Sequence, residues 1–259
     1  MSHASPVIEV RGLTKHFAAT PAVQDLTLSV HGGEVYCLLG GAGAGKTTTV
    51  KMLLGLIPPS AGHAILAGHD PAVSPRLARA QTTFITGGAT LSGAMTARQN
   101  LRFLVQTANP THRWQEREGL NALRTMGLPE RVFERRVQDL SRDLVLALWL
   151  AVGWLRHTPV LLLDHPTADL DQRAVARLQV RLARFRDRGQ AVLLATADIL
   201  FASQIADRIG IIKQGRTVAE RTRADVLSLS LTELYIDYIG RPPQRASLEH
   251  PSAPRRLGT

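Results

Sequence analysis

The sequence predicts an α/β fold with a mainly parallel sheet, and three observations support this fold class. The chain has 259 residues, of which 44% are hydrophobic, so it can bury one large core and wholesale disorder is excluded. Short apolar strands alternate with helices in its second half, as expected for right-handed crossovers. A glycine-rich loop near residue 40 stands between a predicted strand and a predicted helix.

The first part of the chain is predicted to hold short strands and one helix. Apolar residues over 7–10, 26–30 and 35–39 predict strands, and a turn with two glycines separates the last two. A helix is expected over about 46–55, directly after the glycine-rich loop. A further short strand is expected over 63–67.

From about residue 97 the pattern changes to helices and then to a regular alternation. Residues 97–157 predict helices with few strand-like runs. The continuous apolar run Val160–Asp164 predicts a parallel strand buried on both faces. The expected elements after it are a helix over 171–188, a strand over 191–196, a helix over 199–206, a strand over 208–213, a turn at Gly215 into the last strand pair, and two short helices up to Ile239.

Composition narrows the classes of function. The net charge of +10 would suit nucleic acid or an anionic membrane surface. The arginines are scattered through predicted helices without aromatic interleaving, so we do not expect a nucleic-acid partner. Arg outnumbers Lys and Ala is abundant, and a GC-rich genome would produce the same bias, which explains the charge equally well. The single Cys37 predicts a buried thiol in a reducing cytoplasm.

No segment predicts secretion or membrane insertion. The first residues lack the apolar stretch of a signal peptide, which favours a soluble chain. The longest apolar run, over 144–155, is too short to span a bilayer. It predicts a helix buried on every side, and the alternative is a surface for a partner subunit.

The glycine-rich loop matches the phosphate-binding motif G-x-x-x-x-G-K-[ST] in full. Glycines let successive backbone N–H groups surround a phosphate at the start of a helix. Lys46 would bridge the β- and γ-phosphates, and the Thr47 hydroxyl would hold Mg²⁺. The alternative is a glycine-rich turn with a surface lysine. The predicted nucleotide-binding residues of this loop are Gly40, Gly41, Ala42, Gly43, Ala44, Gly45, Lys46, Thr47 and Thr48.

Together with later motifs, the chain resembles the ATP-binding cassette (ABC) family, especially the nucleotide-binding subunits of bacterial drug and antibiotic exporters. Residues 160–167 resemble the Walker B segment, in which Asp164 would hold the metal together with Thr47. Residues 168–171 resemble the D-loop, and residues 215–220 the closing hairpin. The resemblance makes Phe17 the candidate for stacking on adenine, with a core aromatic residue as the alternative.

The resemblance covers residues 7 to about 240 and carries expectations about architecture and ligands. It implies a P-loop NTPase core with an antiparallel β subdomain and an inserted helical subdomain over about 90–157. Residues 1–240 would form the nucleotide-binding domain, and residues 241–259 a disordered tail rich in Pro and Arg. The implied cofactors are ATP and Mg²⁺.

Four positions depart from the family pattern. His165 stands at the position of the general-base glutamate, and Ala197 at that of the switch histidine. Gly87 is aligned with the Q-loop glutamine, although Gln81 lies nearby. The signature segment keeps its serine but replaces both glycines, and Asp143 is expected to bring a carboxylate near the partner's γ-phosphate; the signature-like residues are Ser141, which is expected to cap the next helix, Arg142 and Asp143.

These observations predict an ATP-binding subunit of an exporter whose own hydrolysis is weak or absent. It would lie on the cytoplasmic face of the membrane beneath separate transmembrane permease subunits, as a homodimer or a heterodimer with another nucleotide-binding subunit. Slow turnover sustained by His165 and water is one alternative. A non-hydrolytic, ATP-sensing regulatory or assembly partner of a membrane complex is another, and a nucleic-acid-associated cassette is the weakest.

Overall fold

The computed structural model describes residues 5–86, 91–108 and 113–228, and it confirms the predicted α/β class. Two sheets and a group of helices form the fold. In chain order the elements are β1 (Ile8–Phe17), β2 (Thr20–Val30), β3 (Val35–Leu39), α1 (Lys46–Leu53), β4 (Ala61–Leu66), α2 (Pro75–Ala80), β5 (Thr82–Thr86), α3 (Ala97–Ala108), α4 (Glu116–Thr125), α5 (Arg142–Arg156), β6 (Val160–Asp164), α6 (Gln172–Asp187), β7 (Ala191–Thr196), α7 (Ile199–Ile205), β8 (Arg208–Lys213), β9 (Arg216–Thr222) and α8 (Arg223–Ser228).

The larger sheet has six strands in the order β5-β6-β7-β3-β8-β9. All neighbouring strands in it are parallel except the antiparallel pair β8 and β9. Every residue of β3, β6 and β7 is buried, as expected for strands covered on both faces. The smaller sheet is antiparallel, with the order β2-β1-β4.

The apolar helix α5 belongs to the core. Every residue over 144–155 is buried or half-buried, and the helix contacts α3, α4, α6 and β5. Trp154 packs its ring edge-on against Phe185 of α6, with 5.5 Å between ring centres. The structure therefore supports the core interpretation of this run. None of the helices in the described ranges has the length and apolar character needed to cross a membrane.

The sequence predicted several elements correctly and missed others. Strands β3, β6, β7 and β8 have the predicted bounds. Strands β1 and β2 are longer than predicted, because antiparallel pairing continues through polar residues such as Lys15 and His16. The prediction omitted α2 and β5, which are short and lack a clear apolar pattern. Gly87, the tail 241–259 and the expected domain limit near residue 240 lie outside the described residues.

Candidate functional site

The glycine-rich loop connects the end of β3 to the start of α1, and its backbone explains its glycines. Gly45 has a φ of 107° and Gly43 a φ of 73°, values that residues with a side chain rarely adopt. A Cβ on Gly45 would lie 2.5 Å from the carbonyl oxygen of Ala22, and a Cβ on Gly40 would lie 2.5 Å from that of Ile212. Glycine is therefore required at positions 40 and 45, where a Cβ would clash, and is favoured at 43 by its positive φ.

Lys46 lies inside the loop rather than on the surface. Its side chain is buried, and its Nζ donates hydrogen bonds to the carbonyl oxygens of Gly40 and Gly41, each at 2.8 Å. Burial lowers the pKa of Lys46, and the nearby charge of Asp164 opposes that shift. An ammonium group has three N–H donors, so one is left for a phosphate oxygen. The surface-lysine alternative is therefore wrong.

A cleft of about 340 Å³ opens above the loop. It is lined by residues of the loop and the first turn of α1, together with residues that follow β6 and β7. Thr47 and Thr48 are half-buried in its wall. The residues that line the cleft are Ala22, Ala42, Gly43, Ala44, Gly45, Lys46, Thr47, Thr48, His165 and Ala197.

The parallel sheet brings these distant segments to one edge. Asp164 at the end of β6 pairs with Ala195 of β7, and Leu39 at the end of β3 pairs with Thr196. Two hydrogen bonds tie the following residues to the end of β7. The N–H of His165 donates to Ala195 at 2.8 Å, and the N–H of Gly40 donates to Thr196 at 3.1 Å. The site thus lies at the carboxyl ends of neighbouring strands.

Asp164 has the chemistry of a metal-directed carboxylate. It is 6% exposed, and its Oδ1 atom has no hydrogen-bond partner within the part of the chain that the structure describes. A buried oxygen without a partner is costly unless an ion or water satisfies it. Oxygen atoms of carboxylate and hydroxyl groups suit Mg²⁺, so Asp164 and Thr47 fit a magnesium site.

His165 and Ala197 both line the wall of the cleft. His165 has a φ of 51°, and its Nε2 lies 3.8 Å from Oδ1 of Asp164, with 44% of the side chain exposed. The imidazole therefore stands beside the metal-directed carboxylate and at the wall of the cleft. Ala197 is exposed in the same cleft and has no side-chain group that could hydrogen-bond a phosphate.

The signature-like segment begins α5. Ser141 occupies the N-cap position, but its side chain makes no capping hydrogen bond, so the predicted cap is wrong. Arg142 lies 3.5 Å from Oδ2 of Asp169, which links this segment to the D-loop. The same loop ends at Asp171, whose side chain accepts a hydrogen bond from the N–H of Ala174 at 2.7 Å and caps α6.

Asp143 does not present the uncompensated carboxylate that the sequence suggested. It is 8% exposed, and it accepts hydrogen bonds from Nη1 of Arg181 at 2.5 Å and Nε of Arg177 at 2.8 Å. Both arginines lie on α6, on one helix face because they are four residues apart. No local signal in the sequence pairs these arginines with a residue more than thirty positions earlier, so they were not predicted as partners of Asp143.

Phe17 lies apart from the cleft-lining residues. It ends β1 and is 52% exposed, and the Nζ of Lys15 lies 5.4 Å from its ring centre. The exposed position excludes a core aromatic residue and leaves a ring face available, so stacking on adenine stays a prediction. Gly87, the position aligned with the Q-loop glutamine, is outside the described residues.

The fold and the site define a P-loop nucleotide-binding domain. Comparison with known proteins identifies the family: the ABC transporter profile matches residues 23–168, more than half of the chain. The chain belongs to the ABC transporter family, as an ATP-binding domain of that family.

The curated relatives and solved structures agree with this assignment. The chain is 31% identical over 254 residues to the Nod factor export ATP-binding protein I of Rhizobium leguminosarum, covering 98% of this chain and 81% of that protein. It is 32% identical over 221 residues to the daunorubicin/doxorubicin resistance ATP-binding protein DrrA of Streptomyces peucetius, and the match covers 85% of this chain and 67% of that protein.

Among solved structures, an ATP-binding subunit of an ABC transporter is 28% identical, with a TM-score of 0.77 and coverage of 90% of this chain and 99% of that chain. A second solved structure is the dimeric ATP-binding cassette MJ0796 bound to ADP and phosphate. It matches with a TM-score of 0.74 at 20% identity, and the match covers 83% of this chain and 98% of that chain. At that identity, the second likeness supports the fold alone.

Proposed function

We propose that this chain is the ATP-binding subunit of an ABC exporter, that it binds MgATP in the cleft above the loop, and that its own hydrolysis is weak or absent. The observation that carries the proposal is the intact phosphate-binding loop with the buried Lys46 beside Asp164. The relatives named for Nod factor export and drug resistance support export as the direction of transport.

The loop supplies the groups that would hold the phosphates. The backbone N–H groups of residues 43–47 and the start of α1 favour a negatively charged group. The remaining N–H donor of Lys46 would contact the β- and γ-phosphates. Thr47 and Asp164 would hold Mg²⁺, which neutralises phosphate charge when bound. Phe17, the last residue of the central strand β1 of the smaller sheet, would stack on the adenine ring.

The wall of the cleft lacks two groups that assist hydrolysis. His165 has no negative charge with which to orient an attacking water, and loss of a well-placed base typically lowers a rate by about 10²–10⁴. Ala197 cannot hydrogen-bond the γ-phosphate. The signature-like residues Ser141 and Arg142 would have to contact the partner's ATP without the two glycines that let backbone approach closely.

The proposed setting follows from membership of the family. ATP-binding domains of ABC transporters act in pairs with membrane permeases, so we propose separate permease subunits and a nucleotide-binding partner. That partner is either a second copy of this chain or another nucleotide-binding subunit. The complex would place this chain on the cytoplasmic face of the membrane, where ATP closes the dimer.

The first experiment measures ATP binding and ATP turnover on one purified sample, with Lys46→Ala as the control. Tight binding that depends on both Lys46 and Mg²⁺, with turnover no faster than the control, supports the proposal. Lys46-dependent turnover at the rate of an ordinary ATPase would refute impaired hydrolysis. Failure to bind ATP would refute the site itself.

A second experiment restores the missing groups. The double variant His165→Glu with Ala197→His is expected to raise turnover by about 10²-fold or more, since each residue would regain its catalytic role. His165 already has a Cβ at a φ of 51°, so glutamate adds little backbone strain at this position, and stability is measured in parallel. A folded double variant without gain would favour the alternative, a non-hydrolytic ATP-sensing partner.

A further inference from the structure

A second concave surface lies away from the ATP cleft. It is a groove of about 280 Å³ between the end of α4 and one face of α6, called the arginine groove below. None of its residues lines the ATP cleft. Its lining residues are Thr125, Met126, Gly127, Ala176, Arg177, Val180, Arg181 and Arg184.

The groove carries an excess of positive charge. Arg177, Arg181 and Arg184 are three or four residues apart on α6, so their side chains lie on the same helix face. One carboxylate, that of Asp143, accepts hydrogen bonds from both Arg177 and Arg181. Arg184 donates instead to the carbonyl oxygen of Thr125, which carries no net charge. Two of the three guanidinium groups therefore share one carboxylate, and the third binds only a neutral acceptor in these hydrogen bonds.

Arg181 is buried and incompletely satisfied. It is 3% exposed, and its Nε donates to the carbonyl of Met126 at 2.8 Å while Nη1 binds Asp143. In the residues that the structure describes, its Nη2 has no hydrogen-bond partner. A buried charged donor without a partner is costly, and an unseen ion or ligand is one physical explanation.

Gly127 lies next to this buried donor. A Cβ added there would lie 3.7 Å from Nη2 of Arg181, so any larger side chain would extend over the guanidinium. Beside Thr125, the rest of the lining is apolar, with Met126 and Ala176 in the groove and Val180, 57% exposed, beside them. Arginine is the residue that most often binds planar or tetrahedral oxyanions through two N–H groups.

From this arrangement we propose that the arginine groove binds a phosphate monoester or similar small oxyanion with a short apolar portion. The oxyanion would contact Arg181 and Arg177, and the apolar portion would lie along Val180 and Ala176. The ligand and Asp143 compete for the same two guanidinium groups. Asp143 is in the signature-like segment at the start of α5. A ligand bound in the arginine groove would therefore weaken the hydrogen bonds that hold this segment.

The test uses the full chain with the Lys46→Ala change, which weakens phosphate binding at the ATP cleft. Inorganic phosphate and butyl phosphate are titrated by calorimetry and by thermal unfolding. We expect saturable binding that raises the unfolding temperature, with butyl phosphate binding more tightly. Val180 lines the arginine groove and not the ATP cleft, so its variants assign the binding to one of the two sites, and failure of one proposal leaves the other intact.

Val180→Glu is the decisive variant, because an exposed helix position tolerates it and the new carboxylate would face the arginines. It is expected to weaken phosphate binding by at least about tenfold, from the Coulomb attraction of close unit charges. Val180→Gln, a neutral side chain of the same length, should change the affinity by less than about threefold. Equal affinity for the Glu and Gln variants would overturn the proposal.

Asp143→Asn separates a ligand site from a purely structural ion pair. Removing the competing carboxylate should tighten phosphate binding by about tenfold and make the unfolding temperature strongly dependent on phosphate. A variant that is destabilised equally with and without phosphate would contradict the proposal.

Vesicles with and without phosphatidic acid show where the phosphate comes from. Co-sedimentation that Val180→Glu abolishes identifies a lipid headgroup, whereas binding of butyl phosphate alone identifies a soluble ester. No binding of either probe overturns the proposal.

Discussion

The buried ion pair between Asp143 and Arg181 is expected to be a main determinant of stability at the contact between α5 and α6. Replacing Asp143 with Ala would leave Arg181, which is 3% exposed, with one hydrogen bond, to the carbonyl of Met126 at 2.8 Å. Removing one partner of a buried pair costs about 3–5 kcal/mol, because the remaining charge stays buried.

The stability that the pair of Asp143 with Arg181 contributes can be distinguished from that of the pair of Asp143 with Arg177. Arg177 also binds Asp143, but its side chain is 49% exposed, so Arg177→Ala should cost no more than about 1 kcal/mol. For a domain of this size, about 2–4 °C in unfolding temperature corresponds to each kcal/mol. Asp143→Ala should therefore lower the unfolding temperature by roughly 6–20 °C.

Thermal and urea unfolding in phosphate-free buffer measure both variants and the unchanged protein. The double variant Asp143→Leu with Arg181→Leu provides a further check, since replacing a whole buried pair with apolar residues is often neutral or stabilising. A cost of less than about 1 kcal/mol for Asp143→Ala, or a double variant as unstable as Asp143→Ala, would show that the buried ion pair does not stabilise this contact.

Two further predictions concern the glycines of the phosphate-binding loop and the buried Cys37 of strand β3. Gly45→Ala should lower the free energy of unfolding, measured by chemical denaturation, more than Gly43→Ala does. Both glycines have a positive φ, but a Cβ at position 45 would lie 2.5 Å from another atom, whereas a Cβ at position 43 would have no atom within 4 Å. Equal losses in the two variants would contradict this steric explanation. Cys37 is fully buried, and burial raises the pKa of its thiol, so iodoacetamide should modify it only at the rate of unfolding. Fast labelling of the native protein would show that β3 is accessible.

The central strands and the phosphate-binding loop could be predicted because their signals are contiguous in the chain. Val160–Asp164 is apolar from end to end and is buried from end to end. The loop from Gly40 to Thr47 encodes its own backbone geometry, since glycine stands where φ is positive or where a Cβ would clash. In both cases the physical requirement and the residues that meet it lie within a few positions of each other.

Weak local signals account for the elements that the sequence analysis missed. Strand β5 (Thr82–Thr86) contains three threonines in five residues, and its pairing with β6 supplies the hydrogen bonds that define it. The far end of β1 contains polar residues that stay in the strand because β2 pairs with them. Strand propensity depends strongly on such neighbours, and the neighbours are not adjacent in sequence.

The sequence by itself determined the α/β class, the buried strands and the identity of the loop that can hold a phosphate. Only the tertiary structure decided the strand order, which sets Asp164, His165 and Ala197 around that loop. It also decided the role of Asp143, whose arginine partners lie 34 and 38 residues further along the chain. Local backbone preference and apolar pattern act over a few residues, whereas ion pairs and sheet order depend on which distant surfaces pack together.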